Sequence, residues 1–497
     1  SLNYVENKDF KVVQNKRLKY IEEISLNVTH RQKIKFIFPE EIEKIQDEIE
    51  LLIIDEGAAI DQNLMPKIGS NHTTFLGGTT VGYEGSGKYL NFKFLQILKE
   101  NSIKSSQKYF SKQKIIFREI FLEEPIRYGK NDPVEKWVNQ AFILDPKFEN
   151  ILLNGCPNPK NCRLYLIDRK LLFSHHKISK IFLQKIFSIF SASHYKNSPD
   201  DLQLLCDAPS HRIMILIWDN RMAINLIPEI LCTIQVSYEG QISKKFIKKS
   251  LKKKIFMRGD LTPWVLSKEY YDPSFAELPG IRVIRIATHP DVRNMGYGTT
   301  AVKELLKYCS FNKQTQSELK KRERREFQKT YNEKIPSLLV SFDSRICPLI
   351  TYISASFSLS IKNLSFWQKN GFKLLCLRQK EPLRGKINAC IFVKKLRANS
   401  FSYSDWFEAF SYNCTRKFIH SILISNYNLN IQETFLVFSN LLKNNNISAE
   451  QLYQSKYLFS PIELKKLAEF GFDSGKNFCS IRELLPLLAK ICIFFCL

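Results

Sequence analysis

The sequence predicts an α/β multidomain chain that closes on a helical region. Three observations carry this expectation. The chain has 497 residues, roughly three times the ~150 residues of an ordinary domain. Short β-type runs alternate with helical stretches as far as about Arg397, the pattern of layered α/β units. Beyond Ala398 the alternation gives way to a helical, aromatic stretch. Hydrophobic residues at 44% and aromatics at 12% supply enough apolar surface for sizeable cores, which excludes a mainly disordered chain.

Taken in order, the first zone spans residues 1–147. Apolar β-type runs stand at Lys35–Phe38, Leu51–Ile54, Thr74–Thr80 and Ile115–Leu122, with a helix-like stretch at Tyr89–Glu100 between them. The second zone, 148–397, opens with a helix over Lys177–Ser193. Strands follow at Ile213–Trp218, Ile230–Tyr238 and Val283–Ala287, and then a helix over Gly296–Ser310. Basic segments at Lys244–Arg258 and Lys320–Lys329 interrupt it, the second reading as an inserted solvated helix or loop. The third zone, 398–497, clusters Phe401, Trp406, Phe407, Phe410 and Tyr412 on a helical pattern and breaks at a polar Lys443–Asn446 loop.

Charge narrows the partners. Lys and Arg number 74 against 49 Asp and Glu, a net +25 that calls for a polyanion, nucleic acid ahead of a membrane surface. No stretch reaches the roughly 18 uninterrupted apolar residues of a membrane span; the apolar Leu484–Leu497 carries Lys490 and reads as a buried helix. The 12 cysteines contain no C-x-x-C pair, so reduced intracellular thiols are expected rather than a zinc knuckle or a disulfide framework. The chain opens on Ser1 and a charged stretch without an apolar leader, and reads as amino-terminally truncated.

Several constellations can carry chemistry. The strand Leu51–Ile54 ends in Asp55 and Glu56, the arrangement by which nucleotide hydrolases present one carboxylate to Mg²⁺ and another to the attacking water. A buried strand entering an acidic turn is the plain alternative. Gly82–Lys88 matches G-x-x-x-x-G-K by letter, but Tyr89 replaces the Ser or Thr hydroxyl that would meet Mg²⁺ and the segment follows the acidic strand, so it is not read as a phosphate loop. Arg127, in the loop before Asp132, is either an arginine finger or a surface side chain.

The strand Ile281–Thr288, the turn Arg293-x-x-Gly296-x-Gly298 and the following helix form a pyrophosphate cradle. Small residues there expose backbone N–H groups where the helix dipole is positive. This spacing resembles the acetyl-CoA loop of the GNAT acetyltransferases, and Phe366–Phe372 resembles the closing helix-to-strand corner of that fold, although a Gly-capped aromatic helix end explains the latter equally. In Lys244–Arg258 the basic residues recur at helical spacing around Phe246, Ile247 and Leu251. They form an RNA-phosphate contact or simply a solvated face.

Read together, five stretches resemble the ATP-dependent RNA cytidine acetyltransferases of eukaryotic type, which form N4-acetylcytidine in small-subunit rRNA and in some tRNAs. They are Leu51–Ile60, Gly82–Leu90, Glu124–Trp137, Ala192–Pro209 and Arg282–Gly298. The resemblance implies a partial RecA-like helicase domain over 1–147, lacking its Walker A part. It further implies a GNAT-type acetyltransferase domain over 148–397 and a helical RNA-binding C-terminal region over 398–497. For acetyl-CoA it implies Ile286, Ala287, Thr288, Arg293, Met295, Gly296, Tyr297, Gly298 and Phe366. Asp55, Glu56 and Arg127 fall at the ATP site, with Asp55 reaching Mg²⁺ indirectly. His194 becomes the proton acceptor, with an RNA-contacting or helix-capping histidine as its alternative. Lys196, Lys244, Lys248 and Lys252 are expected to meet RNA. Implied partners are rRNA, tRNA through an adaptor protein and ribosome-assembly factors, in the nucleus and nucleolus and away from membranes. Two departures stand out: the run Ile353–Ser358 lacks the family's glycines, and Lys320–Lys329 is more charged than the pattern requires. The rival readings are a non-catalytic RNA-binding assembly scaffold and a protein-lysine acetyltransferase.

Overall fold

The computed structural model describes residues 5–15, 20–27, 30–42, 48–57, 72–78, 116–122, 124, 126–144, 155–193, 199–218, 227–253, 255, 259–310, 337–341, 349–380, 387–396, 406–423, 429, 431–445, 459–472, 481 and 484–488. Gly82–Lys88, Tyr89–Glu100, His194, Lys196 and Lys320–Lys329 lie outside the described residues, and the loop expected at Lys443–Asn446 is corrected, since the chain is still helical through Asn445. The chain divides into two compact units, one comprising Ser1–Pro146 with His194–Pro199 and one comprising Lys147–Ser193 with Asp200–Leu497.

In the first unit, β1 (Phe10–Gln14), β2 (Ile21–Asn27) and β3 (Arg31–Lys35) form an antiparallel meander. The predicted strand at Lys35–Phe38 lies a few residues late: the ladder ends at Lys35, and Phe36 and Phe38 instead close edge-on against each other and Tyr20. Next, β4 (Leu51–Ile54) pairs in parallel with β5 (Thr73–Leu76). Leu52 and Ile54 face a small core with Ile42, whereas Leu51 and Ile53 are exposed, so the apolar run is buried on one face only. The β-type run at Ile115–Leu122 is corrected: residues 116–122 form no strand, and Ile116, Ile120 and Leu122 are exposed without a ladder partner among the described residues. Helix α1 (Pro133–Ala141) starts where Asp132 Oδ1 accepts the Val134 N–H at 2.7 Å, with Pro133 preset for the first turn.

The second unit is built on an eight-stranded sheet in the order β10-β6-β7-β8-β9-β11-β13-β12. Its strands are β6 (Cys162–Ile167), β7 (His211–Trp218), β8 (Ile230–Glu239), β9 (Gly280–Thr288), β10 (Leu339–Ser341), β11 (Tyr352–Ser358), β12 (Lys373–Lys380) and β13 (Ile387–Lys395). Every pairing is antiparallel except that of β9 with β11. Strand β6, missed in the sequence, is legible in hindsight from the alternation of Cys162, Leu164 and Leu166.

The two faces of the sheet differ. Met214, Leu216, Cys232, Ile234, Val236, Ile281 and Val283 share one core with Ala301, Val302 and Leu305 of the helix Tyr297–Ser310. Before that helix come α2 (Arg169–Leu172), α3 (Lys177–Ser193), α4 (Pro199–Asp207), α5 (Lys244–Lys252) and α6 (Leu261–Glu269), so it is α7. On the opposite face α3 buries Phe182, Ile186, Phe187, Ile189 and Phe190 and meets β8 and β9. Each such side chain contributes about 1.5–3 kcal/mol on leaving water.

After β11 comes α8 (Ile361–Lys369), then α9 (Trp406–Leu423), α10 (Ile431–Asn445) and α11 (Pro461–Phe472). These last three belong to the same compact unit as the sheet. Trp406, Phe407 and Phe410 of α9 pack on Leu375, Ile391 and Val393. Arg416 of α9 meets Glu463 of α11 in a two-pronged pair, Nε to Oε1 at 3.1 Å and Nη2 to Oε2 at 3.0 Å, with both side chains buried. Glu463 also accepts the Ser460 N–H at 2.7 Å while Ser460 Oγ accepts the Glu463 N–H at 3.2 Å, a reciprocal cap on α11. Nearby, burial pushes the Glu269 carboxyl up, but Lys417 at 2.6 Å and Lys466 at 3.8 Å overcome it and hold the group at about 2. Substituting Arg416→Ala leaves the Glu463 carboxylate buried without its cation. The expected loss is about 3–5 kcal/mol of unfolding free energy, read by chemical denaturation against wild type.

Candidate functional site

The site begins where two parallel strands part. The ladder between β9 and β11 pairs Gly280 with Tyr352 through Val283 with Ala355 and then stops, although β9 runs on to Thr288 and β11 to Ser358. At the same level β9 carries a bulge. Val283 pairs with Val236 and Arg285 with Gln235, leaving Ile284 as the extra residue. Past the bulge, the His289 N–H donates to Leu231 O at 3.0 Å, so odd-numbered peptide groups turn toward β8. By alternation, the N–H groups of Ile286 and Thr288 turn away from β8 toward the gap left by β11. Ala287 is corrected on this point: its peptide faces β8, where its carbonyl lies 3.5 Å from Thr233 Oγ1.

The chain then makes a short turn over Pro290–Val292. His289 is buried there, and its Nδ1 accepts the Asp291 N–H at 3.4 Å. Burial lowers the His289 imidazole below its ordinary range, against the pull of the Asp291 and Glu229 carboxylates. Asn294 and Gly296 both adopt positive φ, 65° and 95°, and the turn delivers the chain into α7. The first helical bond runs from the Thr300 N–H to Gly296 O at 3.0 Å, so the preceding N–H groups of Tyr297, Gly298 and Thr299 have no partner within the helix. A Cβ on Gly298 would stand 3.3 Å from Thr288 Oγ1 and 3.5 Å from Phe366 Cε2. Thr288, Gly298 and Phe366, separated by up to 78 positions (366 minus 288), therefore meet at one point.

This cradle fits a pyrophosphate-bearing thioester. Glycine keeps the backbone donors open at Gly298, the α7 dipole is positive there, and the parting of β9 from β11 leaves a slot beside Ile286 and Thr288. The other predicted residues divide. Met295 is 47% exposed at the rim. Tyr297 is buried and donates through its hydroxyl to Pro157 O at 2.6 Å, so only its backbone is free for a ligand. Arg293 points its Nη2 to Ala192 O at 2.9 Å and Ser193 Oγ at 3.3 Å, capping α3.

The opposite side of β9 carries a polar row that sequence reasoning did not find. Arg282 and Arg285 lie on one face because the bulge at Ile284 resets the alternation; they pair in register with Ser237 and Gln235. Arg285 Nη2 meets Asp201 Oδ1 of α4 at 2.6 Å. Arg282 binds Glu239, whose two oxygens accept the Leu261 and Thr262 N–H groups at 3.1 Å each. Gln235 Nε2 lies 3.1 Å from His211 Nδ1, and burial followed by the nearby Arg282, Arg169 and Arg212 charges lowers that imidazole.

In the first unit, Asp55 Oδ1 accepts the Glu56 N–H at 3.0 Å at the end of β4, and Glu56 takes a positive φ of 48°. Arg127 is exposed and makes no ion pair with either acid among the described residues. No group of three His, Cys, Asp or Glu side chains suited to a metal stands together among the described residues.

An alternating α/β sheet that splits beside a glycine turn at a helix start is the fold of the GNAT acetyltransferases. Family models agree: "GNAT acetyltransferase 2" matches residues 185–397. "RNA cytidine acetyltransferase NAT10/TcmA, helicase domain" matches residues 2–145. The chain belongs to the RNA cytidine acetyltransferase family. It is 32% identical to the RNA cytidine acetyltransferase of Dictyostelium discoideum over 538 residues, covering 99% of this chain and 50% of that protein. Identity is 32% over 527 residues with the Homo sapiens protein and 30% over 545 with that of Saccharomyces cerevisiae, at 99% of this chain and 50% and 51% of theirs. The chain thus spans about half the length of the curated relatives it matches.

The glycine cradle makes a direct prediction. Gly298→Val places branched carbons against Thr288 Oγ1 and the Phe366 ring, and calorimetry is expected to show acetyl-CoA affinity reduced by at least about tenfold, an effect of roughly 1.4 kcal/mol.

Proposed function

We propose that the protein transfers an acetyl group from acetyl-CoA to the exocyclic N4 amine of cytidine in RNA, small-subunit rRNA foremost and tRNA through an adaptor. The observation that carries this reading is the slot between β9 and β11, with the Gly296–Gly298 turn at its mouth. The wider setting proposed is ribosome biogenesis with other assembly factors, in the nucleus and nucleolus.

Bound acetyl-CoA supplies the acetyl group as an activated thioester. The backbone of Tyr297, Gly298 and Thr299 holds its pyrophosphate. Arg293, Met295 and Phe366 frame the entry, and the outward N–H groups of Ile286 and Thr288 are placed to stabilise negative charge developing on the thioester oxygen. The cytidine amine is neutral at pH 7 but a weak nucleophile, because its lone pair is delocalised into the ring. Positioning therefore contributes most, with the amine held about 3–3.5 Å from the acetyl carbon. His194 takes the amine proton as the new N–C bond forms, a task suited to an imidazole whose ordinary value is about 6.5; the thioester C–S bond then breaks and coenzyme A leaves as its thiol, the proton returning to its sulfur.

RNA is proposed to lie along α5. Ser243 Oγ accepts the Phe246 N–H at 3.4 Å to start this helix, and Ile247 and Ser250 anchor it inward. Lys244, Lys248 and Lys252 follow at four-residue spacing, about 6 Å apart along the axis; Glu277 Oε1 accepts the Lys244 N–H at 3.1 Å, and none of the three side chains makes an ion pair among the described residues. Lys245 and Lys249 form an adjacent row. Lys196 is proposed to add a further contact. ATP with Mg²⁺, bound partly by Asp55, Glu56 and Arg127, is proposed to drive extrusion of the cytosine from its stack, a step costing a few kcal/mol.

The test is acetylcytidine formation by the full-length protein. His194→Ala is expected to lower the single-turnover rate at saturating RNA by roughly 10²–10⁴ while RNA and acetyl-CoA affinities hold. A normal saturated rate removes His194 from catalysis. RNA binding without any acetyl transfer by wild type favours the assembly-scaffold alternative.

A second measurement addresses α5. Changing Lys244, Lys248 and Lys252 together to Gln is expected to reduce the slope of log K against log salt by about 2 on single-stranded RNA, or nearly 3 on a duplex. An unchanged slope removes the helix from the interface.

A further inference from the structure

The slot between β9 and β11 opens on both faces of the sheet, and the glycine cradle occupies one of them. Thr288 meets Gly298 and Phe366 on the face covered by α7, where Ile353 and Ala355 of β11 share a core with Ala301, Val302 and Leu305. Phe357 packs against that same core. Side chains alternate along a strand, so Ser354, Ser356 and Ser358 lie on the other face. Their neighbours agree. Ser354 Oγ lies 2.9 Å from Thr262 Oγ1 of α6, and Ser356 pairs in register with Ile391, which packs in the core that α9 closes. The ladder ends at Val283 and Ala355, so Ser356 is the first side chain of β11 on that face past the last rung. On the β9 side of the gap, Arg285 turns to Asp201 of α4 at 2.6 Å. The Ser356 hydroxyl is half-buried and has no hydrogen-bond partner among the described residues.

We propose that Ser356 positions the acceptor base, its hydroxyl donating to ring N3 of the cytosine whose N4 amine is acetylated. The proposal rests on the acetyltransferase reading above and deepens it. With the acetyl donor held from the α7 side, the amine is left the opposite face from which to reach the acetyl carbon, and Ser356 lines that face. On the Watson–Crick edge of cytosine, N3 is the acceptor next to the amine, so a base that brings N4 to the slot brings N3 with it. An acceptor that loses its water there without gaining a donor is costly, and a hydroxyl one residue past the last rung meets that need. A hydrogen bond beside the amine also fixes the tilt of the ring. It thereby sets the direction of N4 toward the thioester, to which rates are steeply sensitive. The flanking serines are less suited: Ser354 Oγ is already shared between Thr262 Oγ1 and Ile281 O, and Ser358 is exposed two residues further out.

The experiment uses the full-length protein and two RNA oligonucleotides, one bearing a single cytidine and the other 3-deazacytidine at that position, with C–H in place of N3. Single-turnover acetylation at saturating RNA is compared for wild type, Ser356→Ala and Ser356→Thr, alongside acetyl-CoA affinity by calorimetry. On cytidine, Ser356→Ala is expected to be about tenfold slower than wild type, whereas Ser356→Thr keeps a hydroxyl and recovers most of the rate. On the 3-deaza base, wild type and Ser356→Ala are expected to agree within about twofold, because the atom that the hydroxyl reads is gone. Acetyl-CoA affinity is expected to hold within about twofold throughout. A Ser356→Ala rate equal to wild type on cytidine overturns the proposal. So does the same deficit on both bases, since that marks a purely structural contact. In either case, acetyl transfer by wild type leaves the acetyltransferase reading standing; no transfer to either RNA by wild type sinks that reading and this proposal together.

Discussion

Everything at the site depends on the parting of β9 from β11. Parallel strands in a sheet normally satisfy each other's peptide groups along their whole length, and here the ladder stops at Val283 and Ala355 while both strands continue. The bulge at Ile284 adds the local twist that carries β9 away. Buried peptide groups without partners are costly, so such a gap persists only where a ligand or ordered water meets them. The remaining sheet keeps the gap open from both sides: β8 holds β9 through Cys232–Thr288 to Glu239–Gly280, and β13 holds β11 along its full length.

The charged groups of the second unit fall into two populations. Beneath the surface, cations are matched one by one: Arg282 with Glu239, Arg285 with Asp201, Arg416 with Glu463 and Lys417 with Glu269. Two of these carboxylates also fix an element, Glu239 the start of α6 and Glu463 the start of α11. On α5 the lysine side chains make no ion pair among the described residues, although Glu277 Oε1 accepts the Lys244 N–H at 3.1 Å, so the helix offers a run of positive charge to solvent.

The aromatic residues past Ala398 have a structural use beside any contact with RNA. Trp406, Phe407 and Phe410 seal the β12–β13 end of the sheet, with Tyr270 stacked on Phe410 at a centroid distance of 4.1 Å. An edge strand left open would offer its unpaired peptide groups to other chains, and α9 lies against β12.

Local signals gave much of this fold away. The helix Lys177–Ser193 was readable residue for residue, and β7, β8, β9 and α7 fall within a residue or two of the sequence pattern, because each is a long apolar run with its own period. The Gly296–Gly298 turn was legible too, since its spacing before a helix states a backbone requirement, and Gly296 does adopt a φ only glycine takes readily. The run Ile115–Leu122 misled because β-propensity describes a half-buried surface that residues 116–122 do not have. By itself, the amino-acid sequence determined α3, α7 and the strands β7, β8 and β9, the glycine cradle and the excess of positive charge. Only the tertiary structure decided which peptide groups face the slot, that Phe366 closes on Gly298, and that Arg285 turns to Asp201. Those outcomes depend on strand register and on one extra residue in β9, and register is set by pairing between segments distant in sequence rather than by any segment alone.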